Sequence, residues 1–167
     1  MTEVEKPLVN IADVPMMERG NSGKFVVQWG RVGPLVGLSG LGCAVHVVPP
    51  GKRAFPFHRH HVIEELFYIV SGEGEYRWGD EIYSVKAGDI IGAPAGGKAH
   101  QLLNTGNEDL RYLGISTLGS VDVCDYPDSG KVAVAAGIQN ADFRTATYVG
   151  IGRMQPADYY DGEDKQD

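Results

Sequence analysis

The sequence predicts an all-β fold, a sandwich or a barrel, on three observations. Its 23 Gly and 9 Pro punctuate short runs of β-branched and aromatic residues. Turn chemistry separates those runs, as in PPGK, SGEGE, WGDE, KAGD, PAGGK, NTGNED and YPDSGK, where Gly, Asn and Asp accept backbone conformations that other residues resist. Between residues 20 and 135 no apolar stripe of helical period reaches a useful length.

The expected strands follow in order. FVVQW (25–29) and GCAVHVV (42–48) are β-branched runs opening the barrel. In ELFYIV (65–70) strict alternation puts Glu65, Phe67 and Ile69 on one face and Leu66, Tyr68 and Val70 on the other. EYRW (75–78) and EIYSV (81–85) flank a tight turn at WGDE. DIIGA (89–93), HQLLN (100–104), RYLGIST (111–117) and KVAVAA (131–136) complete the set. Short helical turns are allowed near IADVPMME and at the C-terminus. No segment duplicates another, so one barrel is expected over residues 25–136, preceded by an arm at 1–24. The C-terminal segment, 137–167, closes on QPADYYDGEDKQD, where Asp158, Asp161, Glu163, Asp164 and Asp167 face a single Lys165. That composition predicts a solvated, mobile tail.

At 167 residues the chain suits one domain with its own core. Hydrophobic residues at 43% and charged residues at 22% place it among folded globular chains. The net charge of −7 opposes a phosphate backbone and no Lys/Arg stripe offsets it, which excludes nucleic acid as a partner. No apolar run of about 18 residues exists to cross a membrane. MTEVEKPLVNIADVP lacks the apolar stretch of a secretion signal, so a cytoplasmic location is expected. Cys43 and Cys124 lie far apart in apolar surroundings, and both are expected as reduced thiols.

Three of the five histidines fall together at residues 58–61. His58 and His60 are two apart, so on an extended strand both imidazoles point the same way, as a shared metal requires. A turn at HVIE would bring Glu65 back toward the same point, and His100, opening the strand after PAGGK, supplies a third imidazole. The ordinary fate of strand histidines is to be satisfied by solvent or backbone, and His46, alone in its strand, is read as a packed or surface histidine. His61 breaks the alternation and is expected at the surface or hydrogen-bonding beside the site.

Residues 51–72, GKRAFPFHRHHVIEELFYIVSG, resemble the first motif of the cupin superfamily at Gly51, His58, His60, Glu65 and Gly72. GDIIGAPAGGKAHQLLN resembles the second motif at Gly88, Pro94, Gly96, His100 and Asn104. One extra residue precedes His58 and another separates Gly96 from His100, both in loops, where an insertion is easily absorbed. The resemblance implies a single-domain antiparallel jelly-roll β-barrel. It also implies His58, His60, Glu65 and His100 as metal ligands. Glu65 rather than Glu64 keeps the motif's spacing to Gly72, and Glu64 would face away.

Three imidazoles and one carboxylate suit a divalent Fe, Mn, Co, Ni, Cu or Zn ion. The wider pattern, VVPPGKRAFPFHRHH and VCDYPDSGKV, is similar to small bacterial cupins described as sugar-phosphate isomerases. That resemblance implies metal-assisted proton transfer on an open-chain sugar phosphate, by a base that the sequence leaves unassigned. Lys52, Arg53, Phe67 and Arg111 are the candidate substrate contacts. Two alternatives use the same barrel: an Fe(II) or Cu(II) dioxygenase, and a non-catalytic cupin that binds or senses a small molecule. The apolar outer set of Leu66, Tyr68 and Val70 needs a cover, and because cupins commonly pair through a sheet, a homodimer is expected.

Overall fold

The computed structural model describes residues 6–139 and 143–163. Its strands are β1 (Met17–Gly20), β2 (Val26–Arg31), β3 (Leu41–Val48), β4 (Arg59–His60), β5 (Glu65–Ser71), β6 (Glu73–Trp78) and β7 (Glu81–Lys86). They continue with β8 (Ile90–Ala93), β9 (His100–Leu103), β10 (Leu110–Thr117), β11 (Val121–Tyr126), β12 (Lys131–Ala136) and β13 (Tyr148–Gly152). Every strand expected from the sequence forms, with ends shifted by at most two residues. Helical structure is limited to 3-10 turns at Ile11–Asp13, Gly33–Val36 and Phe143–Thr145. No helix among the described residues is long and apolar enough to cross a membrane.

Three antiparallel sheets make the barrel: β1-β2-β3-β10-β5-β8, β13-β12-β11-β4, and β7-β6-β9. The fold is the all-β jelly-roll architecture that the turn pattern and motifs imply. Both end segments add a strand, β1 from within residues 1–24 and β13 from within 137–167. Asp164, Lys165 and Asp167 of the expected acidic tail lie outside the described residues. Cys43 and Cys124 are free.

Alternation along the six-stranded sheet sorts its side chains. Trp29, His46, Tyr112 and Ile69 are register partners across β2, β3, β10 and β5, so they share the lumen face. Toward one end of that face Val27, Val48, Ile69 and Leu110 are completely buried and pack with Phe67, Tyr76, Val85, Leu102 and Tyr112. Burying each such aliphatic or aromatic side chain stabilises the fold by about 1.5–3 kcal/mol. Toward the other end the lumen residues shrink to Gly42, Ala44 and Gly114. A cavity of about 560 Å³ opens there. The contrast between large and small lumen residues therefore places the site.

Asn104, fully buried, ties the core to the PPGK loop. Its Nδ2 donates to Val48 O at 2.7 Å and Glu108 O at 2.8 Å, and its Oδ1 accepts from Gly106 N at 2.9 Å. Its own backbone bonds Gly51 and Lys52. Every polar atom of the side chain is thus satisfied, as burial demands.

On the outer face, Val14, Pro15 and Met16 of the N-terminal arm lie against Gly30, so close that a Cβ there would meet Val14 and Met16 side-chain atoms at 2.6 Å. The arm thereby covers the β2 side of the sheet, and Val45, the register partner of Gly30, is 1% exposed. On β5 and β8 Leu66, Tyr68 and Ile90 are exposed beyond the described part of the arm.

Candidate metal centre

His58 and His100 lie 42 positions apart in sequence and side by side in space. A reciprocal backbone bridge joins them, His58 N to His100 O at 3.1 Å and His100 N to His58 O at 2.7 Å. His60 projects from β4 on the same face as His58, as two-residue alternation requires. The bend at residues 61–64 returns the chain so that Glu65, first residue of β5, meets them. Glu65 Oε2 lies 3.0 Å from His100 Nε2, 3.4 Å from His60 Nε2 and 3.9 Å from His58 Nε2. All four residues expected from the sequence meet at one carboxylate oxygen.

The opposite ring nitrogens are held so that Nε2 is the inward atom. His58 Nδ1 donates to Pro56 O at 2.8 Å, and a carbonyl can only accept, so the Nε2 lone pair faces the centre. His60 Nδ1 bonds Asp122 Oδ2 at 2.6 Å. Asp122 is 3% exposed and its Oδ1 has no partner among the described residues. A buried carboxylate behind an imidazole is the arrangement that fixes ring orientation and raises basicity in metal-binding histidines.

The electrostatics agree with a shared cation. Burial alone would raise Glu65, but the hydrogen bond from His100 and the proximity of His60, His100 and His58 outweigh it and push the carboxyl down to about 2. Burial pushes His58 down to about 4, helped by repulsion from His100. For His60, burial opposes protonation, yet the Asp122 hydrogen bond and the charges of Glu65 and Asp122 raise it. Ligand atoms of His58, Glu65 and His100 lie within 4.8 Å of one another, with His60 Nε2 3.4 Å from Glu65 Oε2, and these nitrogen and carboxylate donors fit a borderline divalent ion. Cys124 Sγ completes a second triple with His58 and His60, all ligand atoms within 4.8 Å. Burial pushes that thiol up to about 12.

His61 and Glu64 are outside the centre. His61 Nε2 lies 2.8 Å from Asp125 Oδ1, on the outer side of β11, where Arg59 also pairs with Asp125. Glu64 is exposed. Phe67 is buried with its ring centroid 5.7 Å from that of His100, forming the boundary between core and site. Lys52, Arg53 and Arg111 do not line the cavity. Lys52 Nζ donates to Gly23 O at 2.7 Å, Arg53 makes backbone bridges to Phe25 and Leu103, and Arg111 sits between lumen-facing Leu110 and Tyr112, which turns it outward.

Asp122, Cys124 and Tyr126, all on the lumen face of β11, escape the sequence reading. The signal was available in VDVCDY, whose alternation before the YPDSGK turn is that of a strand. His46 is packed, as expected, and it also faces the site. It is 6% exposed, stacked on Tyr112 at 4.6 Å, and lines the cavity. Burial pushes it down to about 4, against the raising pull of Glu65 and an Ala44 backbone contact, with the charge of Arg19 adding to the lowering.

Residues 44–116 match the family model described as Cupin domain. An oxalate-binding protein of Thermotoga maritima is 35% identical over 71 residues, 42% of this chain and 57% of that protein. A 5-nitrosalicylic acid 1,2-dioxygenase of Bradyrhizobium is 37% identical over 75 residues, 44% of this chain and 35% of the enzyme. The chain thus spans about half or less of the length of these curated relatives. A crystal structure of a candidate sugar phosphate isomerase from Acidithiobacillus ferrooxidans superposes with a TM-score of 0.75 at 28% identity, covering 88% of this chain and 92% of that one. The matched span contains His58, His60, Glu65 and His100 together with the strands that carry them, and over residues 44–116 the chain carries a cupin domain.

Proposed function

We propose that this cupin holds a divalent transition metal on His58, His60, Glu65 and His100 and acts on a small anionic metabolite, with isomerisation of a sugar phosphate as the best-supported reaction. The observation that carries the reading is the convergence of three Nε2 atoms on Glu65 Oε2 at the wall of a 560 Å³ cavity. That volume is in the range of small-metabolite sites. The long overlap with a structure named for sugar phosphate isomerisation supports the choice of reaction.

A divalent ion bound there supplies Lewis acidity toward neighbouring carbonyl and hydroxyl oxygens of a substrate. The chain's own groups supply the rest. Pro56 O and Asp122 hold His58 and His60 in the tautomers that turn Nε2 inward. Burial raises the Tyr126 hydroxyl, so it remains a proton donor at the cavity wall. Phe67 and Tyr112 close the floor and keep water out of the core side.

The test is incubation of metal-loaded protein with pentose and hexose phosphates in D2O, followed by NMR. Aldose–ketose interconversion with deuterium entering the carbon beside the carbonyl, unchanged when oxygen is removed, is the expected result. The likeness to a dioxygenase over residues of the same barrel supports one competing reading, and turnover that stops without oxygen would replace isomerisation by it. Binding without turnover would leave a non-catalytic cupin.

The same reading includes a homodimer, supported by Leu66, Tyr68 and Ile90 standing exposed on β5 and the sheet-edge strand β8. Light scattering at micromolar concentration is expected to give twice the 18.0 kDa chain mass. A monomer at that concentration removes it.

A further inference from the structure

The chain as a whole carries −7. Its cavity lining is composed differently. Among the described residues the charged side chains lining it are Arg19, Arg31 and Arg144 against Glu65 and Asp122, and both carboxylates are engaged by the site histidines. A concave, low-dielectric wall concentrates such a field, so the lumen attracts anions that the outer surface repels.

Arg31 and Arg144 have polar contacts of their own. Arg19 differs. Its guanidinium lies 4.0 Å over the Trp29 ring, and no carboxylate pairs with it among the described residues. A guanidinium stacked on an aromatic face keeps its edge N–H groups in a fixed fork, the geometry that binds carboxylate or phosphate through two bonds. Beside it on the sheet, His46 is the register partner of Trp29. Its side chain is 6% exposed and lines the same cavity.

We infer that Arg19 and His46 form the subsite for the anionic group of the ligand, a phosphate or carboxylate, on the six-stranded sheet rather than on the Lys52–Arg53 loop. This rests on the reading that the cavity takes a small metabolite, and it is independent of the metal. Arg19 supplies the charge and the forked donors. His46, stacked between Tyr112 and the edge of Phe55, supplies a neutral polar ring held in place.

The experiment is calorimetric titration of metal-free protein with two probes, inorganic phosphate and oxalate. Binding that weakens as salt rises is expected, with at least a tenfold weakening in Arg19→Gln, partial recovery in Arg19→Lys, and circular dichroism unchanged in both. Tighter binding of phosphate or of oxalate identifies which anion the subsite prefers. Binding in Arg19→Gln equal to wild type overturns the inference, as does absence of binding to the wild-type protein. A loss carried instead by Lys52→Gln or Arg111→Gln overturns it too and returns the anion to the loops. Metal content of the same samples, after reloading, reports separately on the histidine centre, so failure of one assignment leaves the other readable.

Discussion

The His58→Ala protein is expected to bind a divalent transition metal at least ~100-fold more weakly than wild type, whereas His61→Ala stays within about twofold. The two residues are three apart in sequence and nearly identical in chemistry, and what separates them is direction. His58 Nε2 faces Glu65 at the centre, with Nδ1 occupied by Pro56 O. His61 is turned to the outer side of β11, bonded to Asp125. Asp122→Asn should fall between them, at ~10–100-fold, because it leaves every ligand in place and weakens only the support behind His60. Elemental analysis after dialysis against a buffered metal series orders the three. Equal losses from His58→Ala and His61→Ala would remove the ligand assignment.

Gly72→Ala is expected to destabilise the fold by about 2–5 kcal/mol, the sum of a left-handed backbone penalty and a packing clash. Gly72 has φ +83°, and a Cβ on it would lie 2.6 Å from Asp109 O and 3.0 Å from Leu110 Cα. Those are backbone atoms of the strand entering the core, with Leu110 completely buried, so neither can swing aside. Gly88 separates the two contributions. It has φ +94° with nothing within 4 Å of a Cβ, and Gly88→Ala should cost only about 1–2 kcal/mol. Urea midpoints at unchanged slope measure both. A Gly72→Ala loss no greater than that of Gly88→Ala would show that the Asp109 contact relaxes freely.

The barrel was readable in advance because its strands are bounded by residues with one dominant conformational use. The histidine cluster was readable because alternation and the two motifs act over short spans. What escaped lies where those local rules lose force. β4 is two residues long and has no pattern of its own, and it exists through pairing with β11. β1 and β13 are edge strands with mostly exposed side chains, so no buried face writes itself into their sequences. Asp122 looks like one more acidic residue until β11 turns it into the lumen behind His60. The proposed anion contact lies apart from Lys52 and Arg53 for a related reason. Lys52 and Arg53 stand next to His58 in sequence, but their loop is tied by backbone bonds to Asn104, Lys24 and Val26, whereas Arg19 reaches the cavity through β1, 39 positions earlier than His58.

The reciprocal amide pairing of His58 with His100 makes assembly of the centre an all-or-none event. Neither imidazole can be docked while the other's segment is loose, and the loop closed between them spans the whole β5–β8 stretch, whose chain entropy must be surrendered first. A newly made chain therefore holds its third imidazole apart from the local His58–His60–Glu65 trio until the barrel has shut.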